Sequence, residues 1–237
     1  DGVTGVQTCA LPISCAGHSL GEYSALVAAG MIPYKDALRL VARRGELMAE
    51  SDPEGRGGMA AVMGLSPEQI AEVIKAAAKG RSLEAANFNC PGQIVISGDK
   101  DAVADAESFA NDAGATNFVT LQVSGPFHSS LMQPAAESFA VDLAAASFVE
   151  GHARVVSNVT AAWHEPKQTV DLLKKQIYSS VRWEDSIRFL VANGVDAFIE
   201  VGPGKVLRGL MRRIDKSLAC QGSGDLESLE KILSQGR

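Results

Sequence analysis

Over residues 34–50 the apolar positions recur every three to four residues. Ala37, Leu40, Val41, Leu47 and Met48 make one stripe, with Arg39, Arg43, Glu46 and Glu50 opposite. That spacing predicts an amphipathic helix. Residues 20–29 read as a preceding helix rich in small side chains and closed by Gly30. After it, Pro53 to Gly58 is a break of proline, glycine and charge. The pattern then changes. A short apolar run at 59–63 predicts a strand, and Ser66-Pro67-Glu68-Gln69 opens a helix to 79 with capping chemistry. Strands are expected at 83–87 and 93–97, joined by Asn89-Cys90-Pro91-Gly92. A helix at 99–113, ended by Gly114, and a strand at 118–123 follow. The order βαββαβ is that of a small ferredoxin-like unit, so residues 57–123 are expected to form an inserted subdomain. Beyond it come a helix at 129–146, a strand at 155–159, and helices at 169–178 and 183–193. A strand at 197–201 then runs through Gly202-Pro203-Gly204 into a helix at 205–213. Strand–turn–helix units of this kind imply a parallel sheet covered by helices, hence an α/β fold. Residues 226–233 are expected to form a surface helix.

The 237 residues are enough for a sizeable core, and 46% hydrophobic with 21% charged residues is an ordinary globular composition. No apolar run is long enough to span a bilayer and no cleavable leader is evident, so a cytoplasmic protein is expected. Cys9, Cys15, Cys90 and Cys220 are scattered without metal-ligand spacing or a disulfide framework. A net charge of −6 argues against nucleic-acid binding. Local basic clusters (Lys174-Lys175, Lys205 with Arg208, Arg212-Arg213) are either solvated helix faces or a docking surface for an anionic partner.

Candidate chemistry centres on Gly17-His18-Ser19-Leu20-Gly21-Glu22-Tyr23. A Gly-x-Ser-x-Gly run opening a helix puts the serine on a tight turn, its hydroxyl exposed beside the free amides of the first helical turn. The two glycines are expected where a Cβ would clash. A serine nucleophile needs a base. His18 adjoins Ser19 on the turn and points away, while His152 and His164 lie in polar stretches that read as surface. His128 stands where the small unit hands back to the large one, and serves either as base or in packing and capping. Arg44 interrupts the apolar stripe of the 34–50 helix. A desolvated guanidinium needs an anion, supplied either by an internal salt bridge or by a substrate carboxylate. Gly202-Pro203-Gly204-Lys205 lacks the spacing of a phosphate loop and reads as a structural turn.

Taken together, Gly17-His18-Ser19-Leu20-Gly21-Glu22-Tyr23, Arg44, Asn87-Phe88-Asn89 with Pro91-Gly92-Gln93, Gly125-Pro126-Phe127-His128-Ser129 and Glu200-Val201-Gly202-Pro203-Gly204 resemble the malonyl-CoA:acyl carrier protein transacylases. They occur in the same order, from about Cys15 nearly to the end of the chain. The resemblance implies an α/β-hydrolase-like large domain, at 15–56 and 124–237, carrying the ferredoxin-like subdomain at 57–123. It implies Ser19 as nucleophile, His128 as base, the Leu20 backbone N–H as oxyanion donor and Arg44 as the grip on the malonate carboxylate. It also implies a main-chain carbonyl, expected at Arg182, that orients His128. His18, Asn89 and Phe127 are then expected near the substrate, with Phe127 favouring malonyl over bulkier units. The substrates implied are CoA and phosphopantetheine thioesters, with holo-acyl carrier protein as partner, no bound cofactor, no metal and a monomeric enzyme.

Residues 1–14 do not resemble the family. They are expected to be an artefactual leader on an N-terminally truncated chain, with Gln7 no substitute for the glutamine that supplies the family's other oxyanion donor. Two other readings remain at this point: an acyltransferase domain fragment of a polyketide or fatty-acid synthase, and an inactive fragment retaining only carrier-protein docking. An esterase-like serine hydrolase fits less well, lacking a reason for the ferredoxin-like insertion.

Overall fold

The structure, a computed structural model, describes residues 12–235. Cys9, Gln7 and most of the expected leader lie outside the described residues. Ser14, at the leader's end, lies in the first strand, β1 (Ser14–Cys15), which pairs in parallel with Arg154–Val155. Two helices follow, α1 (Gly21–Ala28) and α2 (Tyr34–Glu50). The buried side of α2 is Ala37, Leu40, Arg44, Leu47 and Met48, so the arginine does sit within the apolar stripe.

The small unit runs through β2 (Gly57–Met63), α3 (Pro67–Ala78), β3 (Leu83–Cys90), β4 (Gln93–Asp99), α4 (Lys100–Asp112) and β5 (Asn117–Thr120). Its sheet order is β3-β4-β2-β5 with every pairing antiparallel, which is the ferredoxin-like arrangement. Local chemistry agrees with the topology. Ser66 and Gln69 form a reciprocal capping box on α3 with Pro67 in its first turn. Gly92, at φ +68°, turns the β3–β4 hairpin. The helices α3 and α4 cover one face of the sheet over a core that includes Ile70, Val73, Ile94 and Ile96. On the other face Met59, Ala61, Ala86 and Val95 meet Phe127.

After the small unit come a short 3₁₀ turn (Ser130–Met132), α5 (Gln133–Ala145), β6 (Arg154–Val155), α6 (Thr169–Gln176) and α7 (Trp183–Ala192). The chain ends in β7 (Ala197–Val201), α8 (Val206–Ile214), β8 (Ala219–Ser223) and α9 (Leu226–Gln235). Among the described residues, parallel strands pair as β1 with β6 and β7 with β8, besides an isolated parallel bridge between Asn87 and Val181. The expected strand at 155–159 ends at Val155, with Val156 in an isolated bridge to Trp163 and the Asn158 N–H turned inward to Glu22. The main core packs α1, α2, α5 and α6 around Tyr23, Leu26, Phe139, Leu143, Leu173 and Ile177.

One tie holds the small unit to the segment before α7. Phe88 N–H donates to the Val181 carbonyl at 2.9 Å, and Val181 N–H donates to that of Ala86 at 2.8 Å. No helix among the described residues is long and apolar enough to cross a membrane. Phe139, fully buried on α5, is a large apolar filler of the main core, in which α5 packs on α2 and α6. Replacing it with alanine should cost about 3–5 kcal/mol in chemical unfolding; a loss below about 1 kcal/mol would contradict this packing.

Candidate active site

Ser19 sits at φ +52°, a left-handed conformation that disfavours a side chain, between β1 and α1. The turn closes because Gly17 has no Cβ: one built there would lie 1.9 Å from the Gly21 carbonyl oxygen. A Cβ on Gly21 would meet nothing within 4 Å, so only the first of the two glycines is sterically required. Asn158 clamps the turn, its Oδ1 accepting from Ser19 N–H at 2.7 Å and its Nδ2 donating to Gly17 O at 2.7 Å.

The structure brings Ser19, His128 and Arg44 together. Ser19 Oγ lies 2.7 Å from His128 Nε2 and accepts from Arg44 Nη2 at 3.0 Å. His128 is buried and is itself left-handed, at φ +60°. Its Nδ1 lies 2.8 Å from the Gln176 carbonyl oxygen. A carbonyl only accepts, so Nδ1 carries the proton and Nε2 is free to take the serine's. Burial above all, then the Arg44 guanidinium and less so His18, push the His128 pKa from 6.5 down to about 3, against the pull of the Gln176 carbonyl. The ring is therefore neutral at neutral pH, with the Nε2 lone pair facing Ser19.

The orienting carbonyl is Gln176's and not Arg182's. Gln176 ends α6, where a terminal carbonyl has no helical partner. Arg182 instead immediately precedes α7, and its carbonyl accepts from Ser186 N–H and Oγ at 2.9 and 2.7 Å. The Gln176 side chain also enters the site, its Oε1 accepting from Arg44 Nη2 at 3.2 Å and its Nε2 donating to Ser19 O at 3.0 Å.

Arg44 is only 5% exposed, and burial lowers its pKa. Among the described residues it has no carboxylate partner: the Tyr23 ring lies 5.9 Å away, and its buried Nε has no hydrogen-bond acceptor. The internal salt bridge that the sequence leaves open is thus absent among these residues. The Leu20 N–H, at the start of α1, donates to no described group. His18 Nε2 donates to Asn89 Oδ1 at 2.8 Å and its ring packs against Trp183, which links the α1 turn to β3 and α7. Phe127, half-buried, packs against both the main core and the inner face of the small sheet.

His164 is not a surface residue. Its side chain is buried and its Nε2 donates to Glu22 Oε1 at 2.5 Å. No periodic pattern surrounds it, so only the neighbouring fold reveals it. Of the basic clusters, Lys174, Lys175 and Arg208 are in ion pairs with Glu137, Asp171 and Glu200. No group of three or more metal-ligating side chains gathers among the described residues.

The acyl transferase domain family matches residues 8–223. The chain is 47% identical over 221 residues to the malonyl CoA-acyl carrier protein transacylase of Bacillus subtilis, covering 92% of this chain and 70% of that protein. It is 44% identical over 226 residues to the same-named protein of Salmonella typhimurium, covering 95% and 73%. The solved acyl carrier protein S-malonyltransferase of Vibrio cholerae superposes with a TM-score of 0.90 at 45% identity, covering 93% of this chain and 72% of that one. A malonyl-transacylase solved in complex with its type II PKS acyl-carrier protein gives 0.92 at 43% identity, covering 94% and 73%.

Two outcomes follow from the geometry. Gly17→Ala should abolish acylation of Ser19 while Gly21→Ala keeps it, measured by adduct formation; equal tolerance would contradict the close contact at Gly17. The acid limb of acylation should lie below the 6.5 of an unperturbed imidazole. If His128 takes the serine's proton the sign is fixed, because only its neutral form can accept one and the folded state binds a proton there only near pH 3. Its contribution to folding stability is accordingly full above 6.5 and is lost as pH falls from there. Burst rates against pH would test this, and a limb at or above 6.5 would contradict it.

Proposed function

The chain belongs to the acyl transferase domain family, among its malonyl-CoA:acyl carrier protein transacylases, and on that premise we propose how its own residues act. It transfers a malonyl group from malonyl-CoA to the phosphopantetheine thiol of acyl carrier protein, in fatty-acid biosynthesis, through an ester on Ser19. The observation that carries the reading is that one hydroxyl oxygen lies within hydrogen-bond reach of both a neutral imidazole and a buried guanidinium lacking a counterion.

His128 Nε2 takes the Ser19 proton as Oγ attacks the thioester carbonyl. The carbonyl oxygen becomes an oxyanion beside the unused Leu20 N–H at the helix start. As the intermediate collapses the C–S bond breaks, His128 returns the proton to the CoA sulfur, and a malonyl-serine ester remains. In the second half His128 takes the proton of the phosphopantetheine thiol, whose sulfur attacks the ester, and returns it to Ser19 Oγ. Arg44 meets the free carboxylate of the acyl group with the donors that the protein leaves unused. An acetyl group would leave that charge unpaired, which is a basis for selecting diacid units. His18, Asn89 and Phe127 shape the entry between the two units. The enzyme works as a cytoplasmic monomer, needing no cofactor beyond the thioesters it handles, and the exposed basic side chains of Lys205 and Arg212 fit an acidic carrier.

Incubation with malonyl-CoA should add one malonyl group, seen by intact mass and mapped to Ser19, and Ser19→Ala should remove it. Arg44→Ala should lower malonyl loading relative to acetyl loading by about 10–100-fold, the scale of a lost hydrogen-bonded charge. An unchanged preference would exclude Arg44 from selecting the acyl group.

A further inference from the structure

Behind the serine turn lies a carboxylate that the transfer steps do not use. Glu22, in the first turn of α1, is fully buried. It accepts from His164 Nε2 at 2.5 Å, Gln176 Nε2 at 2.6 Å and the Asn158 N–H at 3.2 Å. A carboxylate has no proton to give, so each group facing it must donate.

For Gln176 that requirement settles which way its amide lies. The NH₂ group must face Glu22, and it also donates to the Ser19 carbonyl. Both acceptors hold the same end, so Oε1 is left facing Arg44 Nη2 at 3.2 Å. Reversed, the amide would set NH₂ against a guanidinium and a carbonyl oxygen against two acceptors. The two contacts that pin Nη2 are then Ser19 Oγ, which reacts, and Gln176 Oε1, which does not.

We infer that the Gln176 side chain, locked by Glu22, is a positioning residue for acyl selection: it holds the Arg44 guanidinium where the acyl carboxylate meets it. This rests on the reading of Arg44 given above. Gln176 thereby serves both halves of the site, its main-chain carbonyl orienting His128 and its amide placing Arg44. During transfer Ser19 Oγ changes from hydroxyl to ester oxygen, so Gln176 Oε1 is the constant anchor through the cycle. It keeps the cation in place without neutralising it, which a carboxylate at position 176 would do.

Gln176→Met keeps the main-chain carbonyl on His128 but also frees the Ser19 carbonyl and Glu22 from the amide, so the readout is the ratio of two binding affinities and not turnover. The probes are two CoA analogues in which methylene replaces the thioester sulfur, one carrying the malonyl group and one the acetyl group, with affinities measured by calorimetry. Wild type should favour the malonyl analogue. In Gln176→Met that preference should fall about tenfold, the scale of one hydrogen bond to a charged group, with acetyl-analogue affinity shifting less than about twofold. A preference that stays put, or both affinities falling together, would overturn the inference. Nitrogen NMR of the Arg44 side chain gives a readout that needs no variant to fold. In wild type its two Nη groups should exchange slowly and resolve separately, and free rotation would likewise overturn the inference. Should wild type itself show no preference while Arg44 is pinned, the fault lies with Arg44 as the carboxylate grip.

Discussion

The left-handed backbone at Ser19 is the constraint around which the site is arranged. At φ +52° a serine costs on the order of 1–3 kcal/mol unless its surroundings fix it. Three independent supports do so. Gly17 lets the chain pass against Gly21, Asn158 takes the serine N–H, and Gln176 together with the Glu22 N–H satisfies its carbonyl. His128 shares the left-handed conformation at φ +60°. The remaining non-glycine cases among the described residues are a helix end at Lys79 and a turn at Ala161. Two of the four strained residues are thus the pair whose side chains meet at 2.7 Å, which gives both a fixed approach.

Electrostatics explains why a carbonyl suffices behind the histidine. A carboxylate at that place would raise the imidazole pKa by stabilising its cation, while a carbonyl fixes the tautomer with a weaker pull. Burial and the Arg44 guanidinium act in the opposite sense and win. The imidazole stays uncharged beside a buried cation, and two positive charges need not share the cleft. One buried carboxylate, Glu22, lies behind the turn and is joined to Arg44 by a hydrogen-bonded path through the Gln176 amide, besides the direct pull of its charge.

Much of this was legible in the chain. The βαββαβ order, the helix at Tyr34–Glu50 and the break in its apolar stripe at Arg44 all follow from periodicity and turn chemistry. The identity of an orienting carbonyl does not follow, because every residue carries one and spacing cannot choose among them. Gln176 nonetheless left a trace. On α6 the buried positions are Thr169, Leu172, Leu173 and Gln176, a helical stripe ending in an amide, which is the anomaly that exposes Arg44 on α2. His164 left none, because its burial comes from a turn-rich stretch folding over α1 rather than from a repeating face. The β8 strand was likewise missed, since its small and polar residues carry no alternation and it forms by pairing with β7.

The same physics accounts for how selectivity and reactivity share one oxygen. Arg44 Nη2 touches Ser19 Oγ, so the cation that would recognise the acyl carboxylate also stands against the nucleophile. Close to a hydroxyl losing its proton, a buried positive charge stabilises the developing alkoxide far more than it would in water. A carboxylate arriving with the acyl group completes the ion pair that the described residues leave open, and relieves the desolvation of the guanidinium. An acyl group without one leaves that desolvation uncompensated at the moment of attack. Under the proposed mechanism, discrimination then acts on the transition state as well as on binding, because recognition and chemistry meet at the same hydroxyl.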